Sequence, residues 1–463
     1  KLPGRWTGEG RRDGASRAGA SFRILFVSHS ACRTGAPLCL LRLCEELSRL
    51  PDFECWMVLK DGGEMEEDFA RIAPTLHLQD LADDGICPWT DAPWEVASRF
   101  REYAPDGMAV CNTMAVSHCH EALAVAGVPV LSWVHELPTF IDLLGGEEAI
   151  DRIKAASRRT IVPADVVRDA LVARFDIDPG RIQTVRYGLD ARTPDVSRDE
   201  ARQAVREELG LPSDARIVLG CGTIDLRKGA DLFVQVGRRS LADAASGGNT
   251  WFVWFGKVVD KDFARWIQHD VEASGLADRI VFAGVRGDMT PYLMAADLFL
   301  LTSREDPCPF ANLEAMEAAL PVAAFAGSGG APEVLGDAGV VVPYLDVDAM
   351  AVSVRDLLAD PAALAEMGRR GREIIRRTFT WPRFTNDFLS ILRSDFGYLP
   401  RRDLKVSVIV PNYRHAPFLE ERLRSVFDQT APPHEIIFLD DASPDDSVEV
   451  ARRLAPLSPA PMR

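Results

Sequence analysis

An α/β chain is what the sequence predicts: two successive doubly wound parallel sheets, followed by the start of a third α/β piece. Three observations carry this reading. Short apolar runs alternate with helical stretches in two series, over residues 22–190 and 215–378, as strands and crossover helices do in parallel sheets. Strand-like runs end in loops bearing Gly, Asn, His or Pro that pass directly into helix starts, and in an open parallel sheet such loops lie where ligands bind. The chain has 463 residues, 47% of them apolar, enough for about three buried cores.

Residues 1–21 are rich in Gly, Arg and Ser with almost no periodic apolar signal, and are expected to form a disordered lead-in. Residues 22–27 read as a strand, followed by the loop SHSACRTGAP and a helix from about Leu38. Gly35 and Ala36 in that loop let a ligand approach the backbone closely. No G-x-G-x-x-G follows the strand, which removes the main support for dinucleotide binding. Further strands are expected at 54–59, 108–111 and 128–134, with a plain helix over 115–126. The last of these strands runs into His135-Glu136; a histidine there points into the crevice, and its near-neutral pKa suits it to a proton or a hydroxyl. A strand at 160–163, a helix at 164–174 and a strand at 182–185 complete the first series. Residues 191–214, charged and flanked by proline, contain a polar helix and read as the connector between domains at 22–190 and 215–378.

The second series opens with a strand at 216–220 and the stretch CGTIDLRKGADLF. Lys228 falls at a helix start, an unfavourable place for a cation unless an anion lies nearby. Strands follow at 251–256 and 280–283. The chain is organised around residues 298–322, LFLLTSREDPCPFANLEAMEAALPV. A buried strand at 298–301 stops at Thr302-Ser303, and Pro307 and Pro309 forbid regular structure until a helix led by Asn312, with Glu314 in its first turn. Asp306 and Glu314, eight residues apart, thus put one carboxylate on the loop and one on the helix. A strand at 321–325 leads to GSGGAPEVL, where Gly329 and Gly330 precede a Pro-started helix, a favourable geometry for phosphate. A strand at 340–343, helices from about 347 and 362, and a segment at 381–392 finish the span. Asp260-x-Asp262 and Asp346-x-Asp348 read as solvated helix caps rather than metal sites.

Lys plus Arg number 53 against 69 Asp plus Glu, and the net charge of -16 argues against a sequence-independent nucleic-acid binder. Any anionic ligand must then be met by a local basic group. The nine cysteines include no Cys-x-x-Cys pair and follow no secretory segment, which favours a reduced, cytoplasmic protein. Cys111, His118, Cys119 and His120 match no zinc spacing. No apolar run approaches the roughly 20 residues that cross a bilayer, so the expectation is a soluble chain, or one peripheral at the inner face of the membrane. The start at Lys1 rather than Met suggests a piece of something longer.

The stretch around Asp306 and Glu314 resembles the retaining glycosyltransferases of family 4, whose mark is a Glu-x7-Glu pair running into a Glu-Ala-Met helix. Here Asp306 stands for the first acid and Glu314, followed by Ala315 and Met316, for the second. Gly222, Lys228 and Gly229 keep their places in that family's Gly-Arg-Leu-x-x-x-Lys-Gly turn, while Thr223 sits where the Arg is expected and Arg227 is offered as its replacement. Tyr187-Gly188-Leu189-Asp190 is similar to the family's Asn-Gly-Val-Asp turn at the domain exit, and 381–392 to its segment crossing back to the first domain.

The resemblance covers residues 22–395 and implies the GT-B fold, two Rossmann-like domains facing a cleft, with a return segment and linker over 379–400. It implies retaining transfer of a sugar from a nucleotide diphosphate to a hydroxyl of a glycan or lipid-linked glycan in cell-surface polysaccharide synthesis. On this reading His135, Lys228 and Asp306 are the catalytic group. Lys228, the Gly329-Gly330 turn and Arg227 would grip the departing diphosphate, Glu314 would accept from the ribose diol, and Asp306 from hydroxyls of the donor sugar. His135 would sit against that sugar from the opposite domain. Gly222, Thr223 and Phe310 complete the donor side, and Gly35 and Ala36 form the acceptor or diphosphate loop. The resemblance implies no metal, and no cofactor beyond the nucleotide sugar as co-substrate.

After Leu399-Pro400 and Arg401-Arg402 the pattern restarts with KVSVIVPNYRHAPFLEERLRSVFDQTAPPHEIIFLDDASPDDSVEVARRL. This resembles the opening of glycosyltransferase family 2, an A-type α/β fold in which Tyr413 and Asp441 would touch the nucleotide base. That family's metal-binding Asp-x-Asp and catalytic base lie further along, so residues 401–463 are expected to be the truncated start of a second enzyme in a longer fused polypeptide. Two rival readings stand beside transfer. One is a non-catalytic scaffold that binds nucleotide sugar, supported by the departures at Thr223 and Asp306; the other is a nucleotide-sugar epimerase of the same fold.

Overall fold

The computed structural model describes residues 22–84, 86–88, 90–190, 196–242, 248–400, 405–429 and 433–463. The expected lead-in over 1–21, residues 191–195 of the expected connector and the Arg401-Arg402 pair lie outside them. The chain forms two compact units that divide after Tyr398.

The first unit holds two parallel sheets. One contains β1 (Phe22–Ser28), β2 (Phe53–Leu59), β3 (Thr75–His77), β4 (Met108–Asn112), β5 (Val130–Trp133), β6 (Ser157–Val162) and β7 (Ile182–Thr184), in the order β3-β2-β1-β4-β5-β6-β7. The other contains β8 (Arg216–Cys221), β9 (Thr250–Phe255), β10 (Ile280–Phe282), β11 (Leu298–Leu301), β12 (Val322–Phe325) and β13 (Gly339–Val342), in the order β10-β9-β8-β11-β12-β13. Central strands are apolar without alternation because helices cover both faces; β9, β11 and β12 are buried at every position. Large side chains such as Phe26, Trp133, Trp254 and Phe299 are fully buried, each stabilising the fold by roughly 1.5–3 kcal/mol.

In each sheet the strand order reverses once, between β1 and β4 and between β8 and β11. Helices from the two neighbouring strands leave to opposite faces at such a point, which opens a crevice beyond the carboxyl ends. The loops after β8 and β11 carry Lys228 and Asp306, so topology alone makes these loops neighbours.

The chain passes between the sheets twice, and the two passes are joined. Leu189 N–H donates to the Phe379 carbonyl (2.9 Å), and a Cβ on Gly188 would lie 2.5 Å from the Trp381 ring, so only glycine fits. The helix Trp381–Phe396 then packs on the first sheet, with Phe384 stacked on Trp133 at 5.2 Å and Arg159 paired to Asp395 at 2.5 Å. The polar helix Arg198–Glu208 starts from a Ser197/Glu200 capping box and is tied to the second sheet, Arg202 pairing with Asp297 at 2.8 Å.

Several element bounds differ from the sequence expectation. The first helix starts at Gly35 rather than near Leu38, because extended Thr34 supplies the first helical carbonyl and Pro37 falls in the first turn, where its missing N–H costs nothing. The helix expected to be led by Asn312 starts at Phe310, with Pro309 before it, so Asn312 is inside the helix and Glu314 in its second turn. The helix expected over 115–126 is Ser117–Val125, preceded by a tighter turn over Met114–Val116. Asp260 and Asp346 accept from the first N–H groups of their helices, as caps do. Strand β3 is three residues long, too short for any periodicity to signal.

The second unit pairs β14 (Ser407–Asn412) with β15 (Glu435–Asp440) in parallel, covered by helices Ala416–Phe427 and Ser447–Leu454 around a small core of Val410, Leu419, Leu423 and Ile436. At the strand ends Asn412 donates to Asp440 (2.7 Å), while Tyr413 and Asp441 are exposed.

Candidate active site

The loop after β8 is shaped by a residue the sequence reading passed over, Asp225. One of its carboxylate oxygens accepts from the Lys228 N–H (2.7 Å) and the other from the Thr223 hydroxyl (2.6 Å). Thr223, standing where the resembled family has a cation, is therefore spent on folding the turn. Gly229 takes a left-handed φ of 70° at the helix start, and a Cβ there would lie 2.0 Å from the Thr302 carbonyl oxygen. That close approach locks the β8 loop onto the β11 loop. Arg304 adds to it by donating its N–H to the Arg227 carbonyl (2.8 Å) and pairing bidentately with Asp231.

With the loops locked, the Lys228 ammonium reaches the Asp306 carboxylate at 2.5 Å, in a part-buried ion pair. Asp306 is itself held by its backbone: its N–H donates to Ser328 (2.7 Å), and its carbonyl accepts from Gly330 (3.1 Å). A Cβ on Gly329 would lie 1.8 Å from that carbonyl oxygen. The Gly329-Gly330 turn is thus built for approach to Asp306. The Gly330 N–H, expected to serve a phosphate, is already donated to protein.

Glu314 belongs to the same neighbourhood. The Cys221 thiol at the end of β8 is pushed up to about 11, chiefly by burial, with Glu314 raising it further and Lys228 pulling it down. Glu314 and Phe310 also line an inter-sheet cavity of about 220 Å³, whose opposite wall includes Leu38 and Arg42 of the helix Gly35–Arg49. Lys228, Asp306 and His135 do not line that cavity, so it adjoins the ion pair rather than containing it.

The first sheet contributes His135, in a setting the sequence did not foretell. Its ring is buried, and the Asn112 amide, which donates to the Ala36 carbonyl (3.0 Å), turns its oxygen to His135 Nε2 (2.7 Å). Nε2 therefore carries the hydrogen, and Nδ1 accepts from the Tyr187 hydroxyl at 2.5 Å. Burial lowers the pKa to about 3, with His29 adding to the effect. The expected near-neutral, proton-carrying histidine is corrected: burial and the partnering of both ring nitrogens hold His135 toward its neutral form. Glu136 is buried too, accepts from the His135 N–H (2.9 Å), and is raised to about 7 by burial.

Tyr187 carries the network to the other sheet, its ring stacking on Phe310 at 4.9 Å. Phe310 also meets Gly35, where an added Cβ would lie 3.3 Å from its ring. Gly35 and Ala36 are thus helical residues at the junction of the two halves, not an open loop. Arg227, expected beside the diphosphate, directs its guanidinium to the Glu305 carbonyl (3.1 Å) and over the Phe140 ring (5.6 Å). Thr113, at the carboxyl end of β4, has a φ of 72°, rare for a β-branched residue and of the kind that gathers at functional sites. Among the described residues no group of three or more His, Cys, Asp or Glu side chains is placed to hold a metal ion. No helix among them is long and apolar enough to cross a membrane.

Residues 201–374 match the family model of glycosyl transferases group 1, and residues 407–461 that of glycosyl transferase family 2. Among curated proteins, the chain is 28% identical over 277 residues to a D-inositol 3-phosphate glycosyltransferase of Saccharomonospora viridis, covering 57% of this chain and 61% of that protein. It is 29% identical over 298 residues to an alpha-maltose-1-phosphate synthase of Mycolicibacterium smegmatis, covering 59% and 75%. Among solved structures, Anabaena HepE in complex with UDP and glucose superimposes with a TM-score of 0.69 at 18% identity, over 80% of this chain and 99% of that one. A sucrose-phosphate synthase from Thermosynechococcus elongatus gives 0.60 at 19%, over 81% and 99%. At these identities the structural likeness is one of fold, the two-sheet GT-B architecture.

Proposed function

We propose that this chain, which carries a glycosyl transferases group 1 domain over residues 201–374 and the family 2 pattern over 407–461, is a retaining glycosyltransferase using a nucleotide-diphosphate sugar. The observation that carries the reading is the Lys228–Asp306 ion pair at the strand-order reversal of the second sheet, with Glu314 on the helix that follows the Asp306 loop. The barrier in such a transfer is the departure of a diphosphate from a developing oxocarbenium ion, so the site must place positive charge on the leaving group. Lys228 supplies it. Glu314 accepts from the ribose hydroxyls, and Asp306 orients the ammonium and receives hydroxyls of the sugar.

The bond from the anomeric carbon to the diphosphate oxygen breaks, and one to the acceptor oxygen forms on the same face. The acceptor's proton passes to the departing phosphate, so no protein base is required. This suits a neutral His135, which serves as a polar wall rather than a proton carrier. Lys228 does the work a divalent cation does elsewhere, and turnover should survive EDTA. The Anabaena HepE structures, one of them in complex with UDP-glucose, make UDP-glucose the first donor to test. The acceptor class we propose is a hydroxyl of a glycan or lipid-linked glycan of the cell surface.

A thermal-shift and donor-hydrolysis panel of UDP-, GDP-, dTDP- and ADP-sugars tests the reading. One class should stabilise the protein and be turned over, and both effects should vanish in Lys228→Ala and Glu314→Ala. Binding without any turnover, unchanged in these variants, would leave the scaffold reading in its place. Conversion of the free donor to an epimer without an acceptor would replace transfer by epimerisation.

A further inference from the structure

We propose that Glu305 is a positioning residue whose carboxylate clasps the two halves of the first unit together over the site, with Glu333 making a second clasp beside it. Glu305 lies next to Asp306 on the second-sheet loop, yet its two oxygens accept from the N–H groups of Thr139 (3.3 Å) and Phe140 (3.2 Å) on the first-sheet side. Glu333, three residues beyond Gly330, accepts from the N–H groups of Asp165 (2.9 Å) and Val166 (2.5 Å).

The receiving helices, Pro138–Leu143 and Asp165–Phe175, share a defect that explains the contacts. Each is entered through an apolar residue, Leu137 or Ala164, which makes no side-chain cap. Each therefore takes its cap from the opposite half. Arg227 reinforces the first clasp, since its guanidinium lies over the Phe140 ring and donates to the Glu305 carbonyl. The geometry has a direct consequence for the site. The segment gripped by Glu305 begins just after His135-Glu136, so the clasp sets the His135 loop opposite Asp306 and Lys228. Glu305 need touch no substrate to do this.

The test measures closure and turnover separately, because only the turnover arm rests on the transferase reading. Spin labels on non-natural residues replace Glu148 and Arg265, whose side chains are 77% and 80% exposed on the first and second halves, in the full chain. Pulsed dipolar spectroscopy then reads the inter-half distance in wild type, Glu305→Ala, Glu333→Ala and the double variant, with and without UDP. Glu305→Gln keeps the length and loses the charge.

The wild type should give one short distance. Each alanine variant should shift the closed-to-open ratio about fivefold to tenfold toward open, as loss of a cap predicts, and the double variant should be mostly open. Turnover should fall about twofold in Glu305→Ala and roughly three- to tenfold in the double variant while UDP affinity holds, a split that general destabilisation does not produce. Unchanged distances in the double variant, or lost turnover at an unchanged distance, overturn the inference. If no donor is turned over by the wild type, the transferase reading falls and the distance arm alone decides the clasp.

Discussion

Lys228 Nζ stands 2.5 Å from Asp306 Oδ2, a contact between residues 78 positions apart on loops that leave adjacent strands. The cation proposed for the diphosphate is thus already engaged by protein, and a donor must share it with Asp306. Asp306→Asn removes the competing charge. Calorimetry should show UDP binding about threefold to tenfold more tightly, while turnover drops by one to two orders of magnitude because the ammonium loses its orienting partner. Weaker UDP binding in this variant would mean that Asp306 helps rather than competes.

Glu314 is the proposed acceptor for the ribose diol, so its effect should depend on the ribose. Wild type should bind UDP about 10- to 100-fold more tightly than 2′-deoxy-UDP, and Glu314→Gln should compress that ratio to a few-fold. Equal discrimination in both proteins would remove the assignment.

Two glycines separate conformation from contact. Gly229→Ala combines a φ of 70° with a backbone oxygen 2.0 Å from the new Cβ, so both loops must move. Chemical denaturation should show a loss of at least about 2 kcal/mol, together with loss of donor binding. At Gly284, where φ is 74° but nothing lies within 4 Å, alanine should cost only about 1 kcal/mol and leave binding intact.

The buried pair His135 and Glu136 gives opposite pH dependences. Glu136 is raised from 4.5 to about 7, so its contribution is present in full below about pH 4.5 and is lost as pH rises through 7. His135 is depressed from 6.5 to about 3, so its contribution is present above pH 6.5 and is lost as pH falls toward 3. Glu136→Gln keeps an oxygen for the His135 N–H and removes the ionisation. Relative to wild type it should gain on the order of 2–3 kcal/mol between pH 5 and pH 8. A pH-independent difference in denaturation midpoints would show that Glu136 does not titrate in this window.

The two sheets were readable from the apolar runs at 108–111 in the first and 298–301 in the second, because strands covered on both faces carry few polar positions to blur the pattern. The spacing from Asp306 to Glu314 and the place of Lys228 at a helix start are local facts legible in the sequence, and the proposal of a diphosphate site starts from them. Helix starts were less legible: at Phe310 the entry residue is a proline, so no polar cap marks the boundary. Nor does sequence distinguish a turn-forming Asp225 from any other aspartate in a loop.

What the sequence determined by itself is the parallel α/β architecture and the residue types on its strand-end loops, since both follow from periodicity and short-range spacing. The tertiary structure alone decided that β8 lies beside β11, bringing Lys228 onto Asp306. It also decided that His135 is buried with both ring nitrogens partnered, and that Glu305 and Glu333 cap helices of the opposite half. Charge state and pairing depend on which surfaces lose their water on folding, and that is set by contacts between segments far apart in the chain.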